Sequence, residues 1–200
     1  MYSQSDEEKY ILEACAGAKR KRLLDIGAWD PKDKSNSRAL IEGGWEALLI
    51  EPSPGPLRNL VKEYGSWKTP ANQVERVMVL CAVVGLEHSV VNIAVTDDAV
   101  STTQEGNAEV WRERGGYIGS MLIPSLTIAD ILNRFGDFDF VNIDTEGTSV
   151  DLLKVLLATE MFPRCICCEH DNRLVEAMQA AQGRGYKTAY TSRENIVFSL

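Results

Sequence analysis

Two apolar runs that each stop at a carboxylate constrain the fold of this chain more than any other feature. They are Leu23-Leu24-Asp25-Ile26-Gly27-Ala28 and Leu48-Leu49-Ile50-Glu51-Pro52, with 26 positions between Asp25 and Glu51. That distance fits a strand, a glycine-bearing turn, a helix and a second strand. In a doubly wound α/β sheet such a unit holds a nucleoside. The first turn lets backbone approach the ligand, and the second strand delivers an acid to the ribose hydroxyls. A carboxylate accepts two hydrogen bonds, which suits a 2′,3′-diol. The sequence therefore predicts a ribose-containing ligand held by Glu51.

The first turn narrows the ligand. A pyrophosphate site needs glycines spaced G-x-G-x-x-G at a helix N-terminus, whereas this turn reads Gly27-Ala28-Trp29-Asp30-Pro31-Lys32. It has one glycine and acidic residues around it. Acids there repel phosphate, which disfavours a nicotinamide or flavin nucleotide, and suit a ligand carrying an ammonium and a sulfonium. S-adenosylmethionine has both.

Two hundred residues are expected to form one domain, 1–200, with a self-sufficient core. A net charge of −8 argues against gripping nucleic-acid phosphates. No apolar run reaches the ~20 residues of a membrane span, and the acidic start, Met1 to Glu8, is unlike a signal peptide; the expected location is cytoplasmic. The basic stretch Lys19-Arg20-Lys21-Arg22 reads as a solvated helix end. Cys165, Cys167 and Cys168 precede Glu169 and His170, a grouping that resembles a zinc site. The segment reads as a buried strand, however, so Cys167 and Cys168 face opposite sides and cannot share a metal. They are expected buried and reduced.

Apolar runs alternate with helical patterns, which signals a mostly parallel central sheet with helices on both faces. The expected elements are a helix over 6–18, strands at 22–27 and 46–51, and between them a short helix capped by Ser35-Asn36-Ser37 and ended by Gly43-Gly44. A helix from Pro54 to Tyr64 stops at Gly65, and a third strand covers 75–83. Residues 90–95 read as an extra strand. A polar loop over about 97–120, with Trp111, Arg112, Arg114 and Tyr117, reads either as a solvated connector or as a substrate lid. Thr127 to Asp130 has capping-box spacing for a helix ending near Gly136. Strands at 138–143 and 164–169 follow, each with its helix, and the chain closes in an antiparallel hairpin turned at 192–195.

Open α/β sheets bind ligands outside the carboxyl ends of their strands. Leaving those ends here are Asp25, Glu51, Cys81-Ala82, Asp144-Thr145-Glu146-Gly147 and Glu169-His170-Asp171-Asn172. Seven acids or imidazoles on one rim mark the active-site face. The fourth strand carries no Asp/Asn-Pro-Pro-aromatic turn of the kind that methylates base amines, and no Pro-Cys pair suggests carbon methylation of cytosine. A carboxylate pair beside a sulfonium can orient a hydroxyl or amine and help take its proton. Oxygen is the preferred acceptor. His170, after the fifth strand, is a candidate general base.

These residues resemble a known family. Asp25 to Ala28, Ser35-Asn36-Ser37 and Gly44 to Pro54 are similar to the cofactor half of FkbM-type S-adenosylmethionine-dependent methyltransferases. Ser125 to Leu132 and Asp139 to Gly147 are similar to their second half. The resemblance spans roughly residues 22–200 and is most specific at Ile143-Asp144-Thr145-Glu146-Gly147. It departs from the pattern at Trp29 and Pro31, where the family usually has Asn and Gly, and Pro31 excludes a glycine-type turn there. The resemblance implies a Rossmann-like class I methyltransferase fold, acting on a small-molecule or carbohydrate hydroxyl. By it, Asp25, Gly27 and Ala28 line the methionine side, and Glu51 with Pro52 holds the ribose. Cys81 and Ala82 border the adenine; Asp144 and Glu146 face the transferring methyl. Asp144, Asp171 and Asn172 also resemble the magnesium set of catechol-type O-methyltransferases, but Asp171-Asn172 equally serves as a helix cap, and no metal is assigned. The alternatives left open are a non-catalytic module of the same fold and an amine acceptor.

Overall fold

The computed structural model describes residues 1–67, 75–96 and 117–200. The elements run α1 (Glu7–Cys15), β1 (Arg22–Ile26), α2 (Arg38–Glu42), β2 (Glu46–Ile50), α3 (Pro54–Tyr64), β3 (Val77–Leu80), β4 (Val83–Val84), β5 (Ser89–Thr96) and β6 (Tyr117–Leu126). Then come α4 (Ile128–Phe135), β7 (Phe140–Ile143), α5 (Ser149–Leu157), β8 (Cys165–Glu169), α6 (Leu174–Gln182), β9 (Lys187–Thr191) and β10 (Asn195–Ser199). Seven strands form one sheet in the order β3-β2-β1-β7-β8-β10-β9. All pairs are parallel except those of β10, which runs antiparallel to both β8 and β9. The chain winds outward from β1 in one direction and resumes at β7 in the other. The crevice between the ends of β1 and β7 is therefore the switch point where such sheets take ligands.

Parallel strands buried on both faces read as continuous apolar runs, and here alternate residues serve two cores. Leu24, Ile26, Val141, Ile166 and Cys168 pack with α4, α5 and α6. Leu23, Leu49, Phe140, Cys165 and Cys167 pack with α1, α2 and α3. The cysteine cluster is split between the faces, all three free and fully buried, and burial raises each thiol's pKa. Thr127 and Asp130 form the expected capping box, with reciprocal bonds of 3.1 and 2.8 Å. No helix among the described residues is long and apolar enough to cross a membrane.

Three expectations are corrected. The stretch 75–83 is not one strand. β3 ends at Leu80, and Val83–Val84 pairs with β6 in a second sheet of order β4-β6-β5. That sheet reaches into the span expected as loop, because β6 starts at Tyr117 and pairs antiparallel with β5 through Val95–Gly119. Its outer residues Ile118 and Leu122 are exposed, which blurs the alternation that marks a strand. The rest of that loop, 97–116, lies outside the described residues. Finally, α1 stops at Cys15, so Lys19 to Arg22 do not end a helix. The backbone N–H groups of Arg20 and Lys21 donate to Asp139 at 2.9 Å, and the Arg20 guanidinium meets Asp137 at 3.2 Å. The basic stretch ties the start of β1 to the start of β7.

Candidate functional site

A cavity of about 380 Å³ opens at the carboxyl ends of β1, β2, β7 and β8, with Val83, Val84 and Ile93 of the small sheet on one side. Its size is that of a small-molecule site. Its floor depends on Gly27, which takes a left-handed φ of +83°; a Cβ there would lie 1.7 Å from the backbone oxygen of Asp144. Only glycine lets the exits of β1 and β7 approach so closely. Gly27 and Ala28 donate backbone N–H bonds to Ile50 O at 2.9 and 3.2 Å, which joins the exits of β1 and β2.

Glu51 closes the next corner. It is 4% exposed, and its two carboxylate oxygens divide their work: Oε2 accepts from Trp29 N at 3.0 Å and Oε1 from Ser53 N at 2.6 Å. Burial raises its pKa, against the lowering effect of those bonds. Trp29 sits at φ 35°, a conformation that side chains other than Asn and Asp rarely adopt. The turn beyond it is held by Asp30, whose Oδ1 accepts from Lys32 N and Asp33 N, both at 2.8 Å, while Tyr64 donates its hydroxyl to Pro31 O at 2.9 Å. A side-chain turn thus does what glycine would do elsewhere. On the β7 side, Asn142 donates to Asp25 Oδ1 at 2.8 Å and accepts from Asn36 at 3.1 Å.

The far rim is acidic. Asp144, Glu146, Glu169 and Glu194 line it with Thr145 and Thr148. Burial is the first cause that raises the pKa of both Asp144 and Glu169, and the charges of neighbouring acids raise them further. Glu146 is pushed up to about 7 by burial and by the charge of Asp144. Glu146 takes φ 54° and Gly147 φ 115°, and the turn is fixed by Ser149 Oγ accepting from Thr145 N at 3.0 Å. Among the lining residues that are described, seven carboxylic side chains face one lysine, Lys34.

Of the residues singled out in the sequence, Asp25, Gly27, Ala28, Glu51, Pro52, Ala82, Asp144 and Glu146 line this cavity; Cys81 and His170 do not. Cys81 is exposed. His170 is buried beneath the β9–β10 turn, where its backbone N–H donates to Glu194 O at 2.9 Å. Asp171 caps a helix, but not the one that follows it: its Oδ2 accepts from Ser149 N at 2.8 Å at the start of α5. Among the described residues no group of three or more His, Cys, Asp or Glu is arranged to hold a metal ion. Gln4, Asn36, Asn142, Glu169 and Glu194 also line the wall. Glu169 stood on the predicted rim, whereas Gln4 reaches it through a bond to Glu194 at 2.6 Å, 190 positions away, for which the sequence holds no signal.

The sequence matches the family model described as the methyltransferase FkbM domain over residues 25–181. No curated protein matches it. Among solved structures, the methyltransferase FkbM from Methylobacillus flagellatus KT is similar, with a TM-score of 0.54 at 14% identity; the alignment covers 100% of this chain and 56% of that one. A precorrin-6y C5,15-methyltransferase from Geobacter metallireducens GS-15 matches with a TM-score of 0.47 at 14% identity, over 100% of this chain and 90% of that one. The likeness to the Methylobacillus protein shows the Rossmann-like methyltransferase fold, and the chain spans little more than half of that protein's length.

Proposed function

Because the chain belongs to the FkbM methyltransferase family, we propose that it binds S-adenosylmethionine in this cavity and directs its methyl group to a hydroxyl of a small molecule or sugar. The observation that carries the reading is the charge of the wall: seven carboxylic side chains against one lysine, in a cavity of nucleoside size, suit a cationic cofactor and repel a phosphorylated one.

The residues present fit the group. The Glu51 carboxylate accepts the backbone N–H groups of Trp29 and Ser53 and is bonded also by the Ser53 side chain, and as a cavity-lining acceptor it can take a ribose hydroxyl. Ala82, Val83, Val84 and Ile93 offer an apolar wall for an adenine, while Asp25, Gly27 and Ala28 remain for the amino-acid half. When bound, S-adenosylmethionine supplies an electrophilic methyl on a sulfonium. Asp144 and Glu146 hold the acceptor beside it and take the acceptor's proton. Their pKa values, raised toward neutrality by burial, suit exchange of a proton at working pH. His170 has no part in this reading, since it lies off the wall, and no metal is assigned. Desolvation and alignment in the closed crevice do the rest.

The acidic rim also favours a second reading, an amine acceptor, whose ammonium those carboxylates would attract. The carbon-13 chemical shift of the transferred methyl group in the product separates an ether from a methylamine. The cofactor assignment is tested by calorimetric titration of S-adenosylmethionine into Glu51→Ala and, as a control, Cys81→Ala. Loss of at least about tenfold in affinity for the first, with none for the second, is expected. Equal binding by Glu51→Ala and the parent would overturn it.

A further inference from the structure

Residues 2–7 run between α2 and the β9–β10 turn. Tyr2 donates its hydroxyl to Glu42 of α2 at 3.0 Å, and its ring lies 5.6 Å from the Arg38 guanidinium. At the other end Glu7, fully buried, accepts from Asn195 Nδ2 at 3.5 Å. Between these anchors Gln4 reaches the mouth of the cavity, and its Nε2 donates to Glu194 Oε2 at 2.6 Å. Both residues are exposed and both line the cavity, so a ligand can touch them. The bond also fixes what they present. An ionised carboxylate only accepts, so Gln4 must give it the amide nitrogen, and the oxygens left to the pair, Gln4 Oε1 and Glu194 Oε1, are acceptors. Glu194 stands within electrostatic reach of the inner acids: after burial, its charge is among the causes that raise Asp144 and Glu146.

We infer that Gln4 and Glu194 select the methyl acceptor, and that this acceptor is an amino sugar or similar amino alcohol whose protonated amine binds Glu194 while its hydroxyl meets Asp144 and Glu146. The inference rests on the cavity being an S-adenosylmethionine site with the acceptor at its acidic rim. Charge and depth carry the choice. S-adenosylmethionine has a sulfonium, an ammonium and a carboxylate, hence one net positive charge, against seven carboxylic side chains and one lysine on the wall. The wall therefore stays acidic with the cofactor in place, and a cation on the acceptor complements it. Glu194 is exposed whereas Asp144 and Glu146 are half-buried, so the amine sits at the mouth and the hydroxyl points inward. A neutral sugar finds acceptors for its hydroxyls there but gains no charge pairing. An acceptor bearing a carboxylate or phosphate would meet the Glu194 charge, which repels it.

The test measures, by ligand-observed nuclear magnetic resonance, how three sugars bind the chain saturated with S-adenosylhomocysteine. Glucosamine carries the amine, glucose has a hydroxyl in its place, and glucuronate reverses the charge. Glucosamine should bind at least about fivefold tighter than glucose, as a partly exposed ion pair supplies, with glucuronate the weakest. Glu194→Gln keeps the shape and removes the charge. It should cut the preference for glucosamine at least about threefold and leave S-adenosylhomocysteine affinity, read by calorimetry, within about twofold. Gln4→Ala should cut the preference less, since Glu194 keeps its charge and loses only its tether. A parent chain with no preference for glucosamine, or a Glu194→Gln variant with the parent's preference, would overturn the inference, and a preference unchanged in Gln4→Ala would remove Gln4 from it. A parent chain that binds no S-adenosylhomocysteine would overturn the cofactor reading itself, and the inference with it.

Discussion

Replacing Gly27 by alanine tests whether the exits of β1 and β7 must touch for the site to exist. The added Cβ would lie 1.7 Å from Asp144 O and 2.9 Å from Asp144 C, against an ordinary contact of 3.4 Å or more. The obstacle is backbone, so no side chain can swing aside. To accommodate it the two exits must separate, which strains the Asp144 N to Ile26 O bond of 2.9 Å and the Gly27 N to Ile50 O bond of 2.9 Å. A left-handed φ costs an L-residue about 1–2 kcal/mol, and overpacking a filled site costs about 1–3 kcal/mol, together roughly 2–5 kcal/mol. For a chain of this length that lowers Tm by on the order of 10 °C, with at least about tenfold weaker S-adenosylhomocysteine binding because the floor of the cavity moves. Thermal unfolding by circular dichroism and calorimetry read the two effects. Gly55→Ala is the control: a Cβ there would meet nothing within 4 Å, and alanine favours the helix. A Gly27→Ala variant that melts within about 2 °C of the parent and binds as well would refute the close-approach argument.

Stability should fall from pH 5 to pH 8. Glu146, raised to about 7, and the Asp144–Glu169 pair, both raised by burial, keep protons in the folded state that the unfolded chain has released above the ordinary carboxyl range. The folded state therefore binds more protons, and the penalty grows as pH climbs through the folded values. Melting curves across that range check it; Glu146→Gln should flatten the fall, and a Tm that rises toward pH 8 would contradict the assignment. Asp171→Ala removes the acceptor of Ser149 N and should cost about 1 kcal/mol, the usual value of a helix cap, as read by urea unfolding; a neutral result would show that α5 does not depend on it. Glu51→Gln replaces an acceptor-only group that serves two backbone N–H bonds by one that keeps only one acceptor oxygen. It should lie between the parent and Glu51→Ala in cofactor affinity, measured by the same titration.

The order of elements was legible because this fold writes itself locally. Buried parallel strands leave apolar runs, helices leave caps, and Pro54 and Gly65 bracket α3 at the expected residues. The rim was legible for the same reason, since the ends of strands can be read off and open sheets bind there. What escaped was set by contacts remote in sequence. β6 was missed because its outer residues are exposed and apolar, so the period-2 pattern is diluted. The split of 75–83 depends on β4 finding β6 some 40 positions on, which no local pattern announces. Cys81 and His170 stood at the right ends of the right strands, but a strand end does not say which way its last side chain faces. The Asn36–Asn142–Asp25 chain joins three elements, and Asn142 reads locally as a polar interruption of a strand.

The central claim is tested most directly by titrating S-adenosylmethionine into the purified chain, freed of carried-over ligand, in a calorimeter. The account predicts one site of micromolar affinity. No binding by a chain whose circular dichroism shows the fold intact would contradict it, and the cavity would then belong to a non-catalytic module of the same architecture.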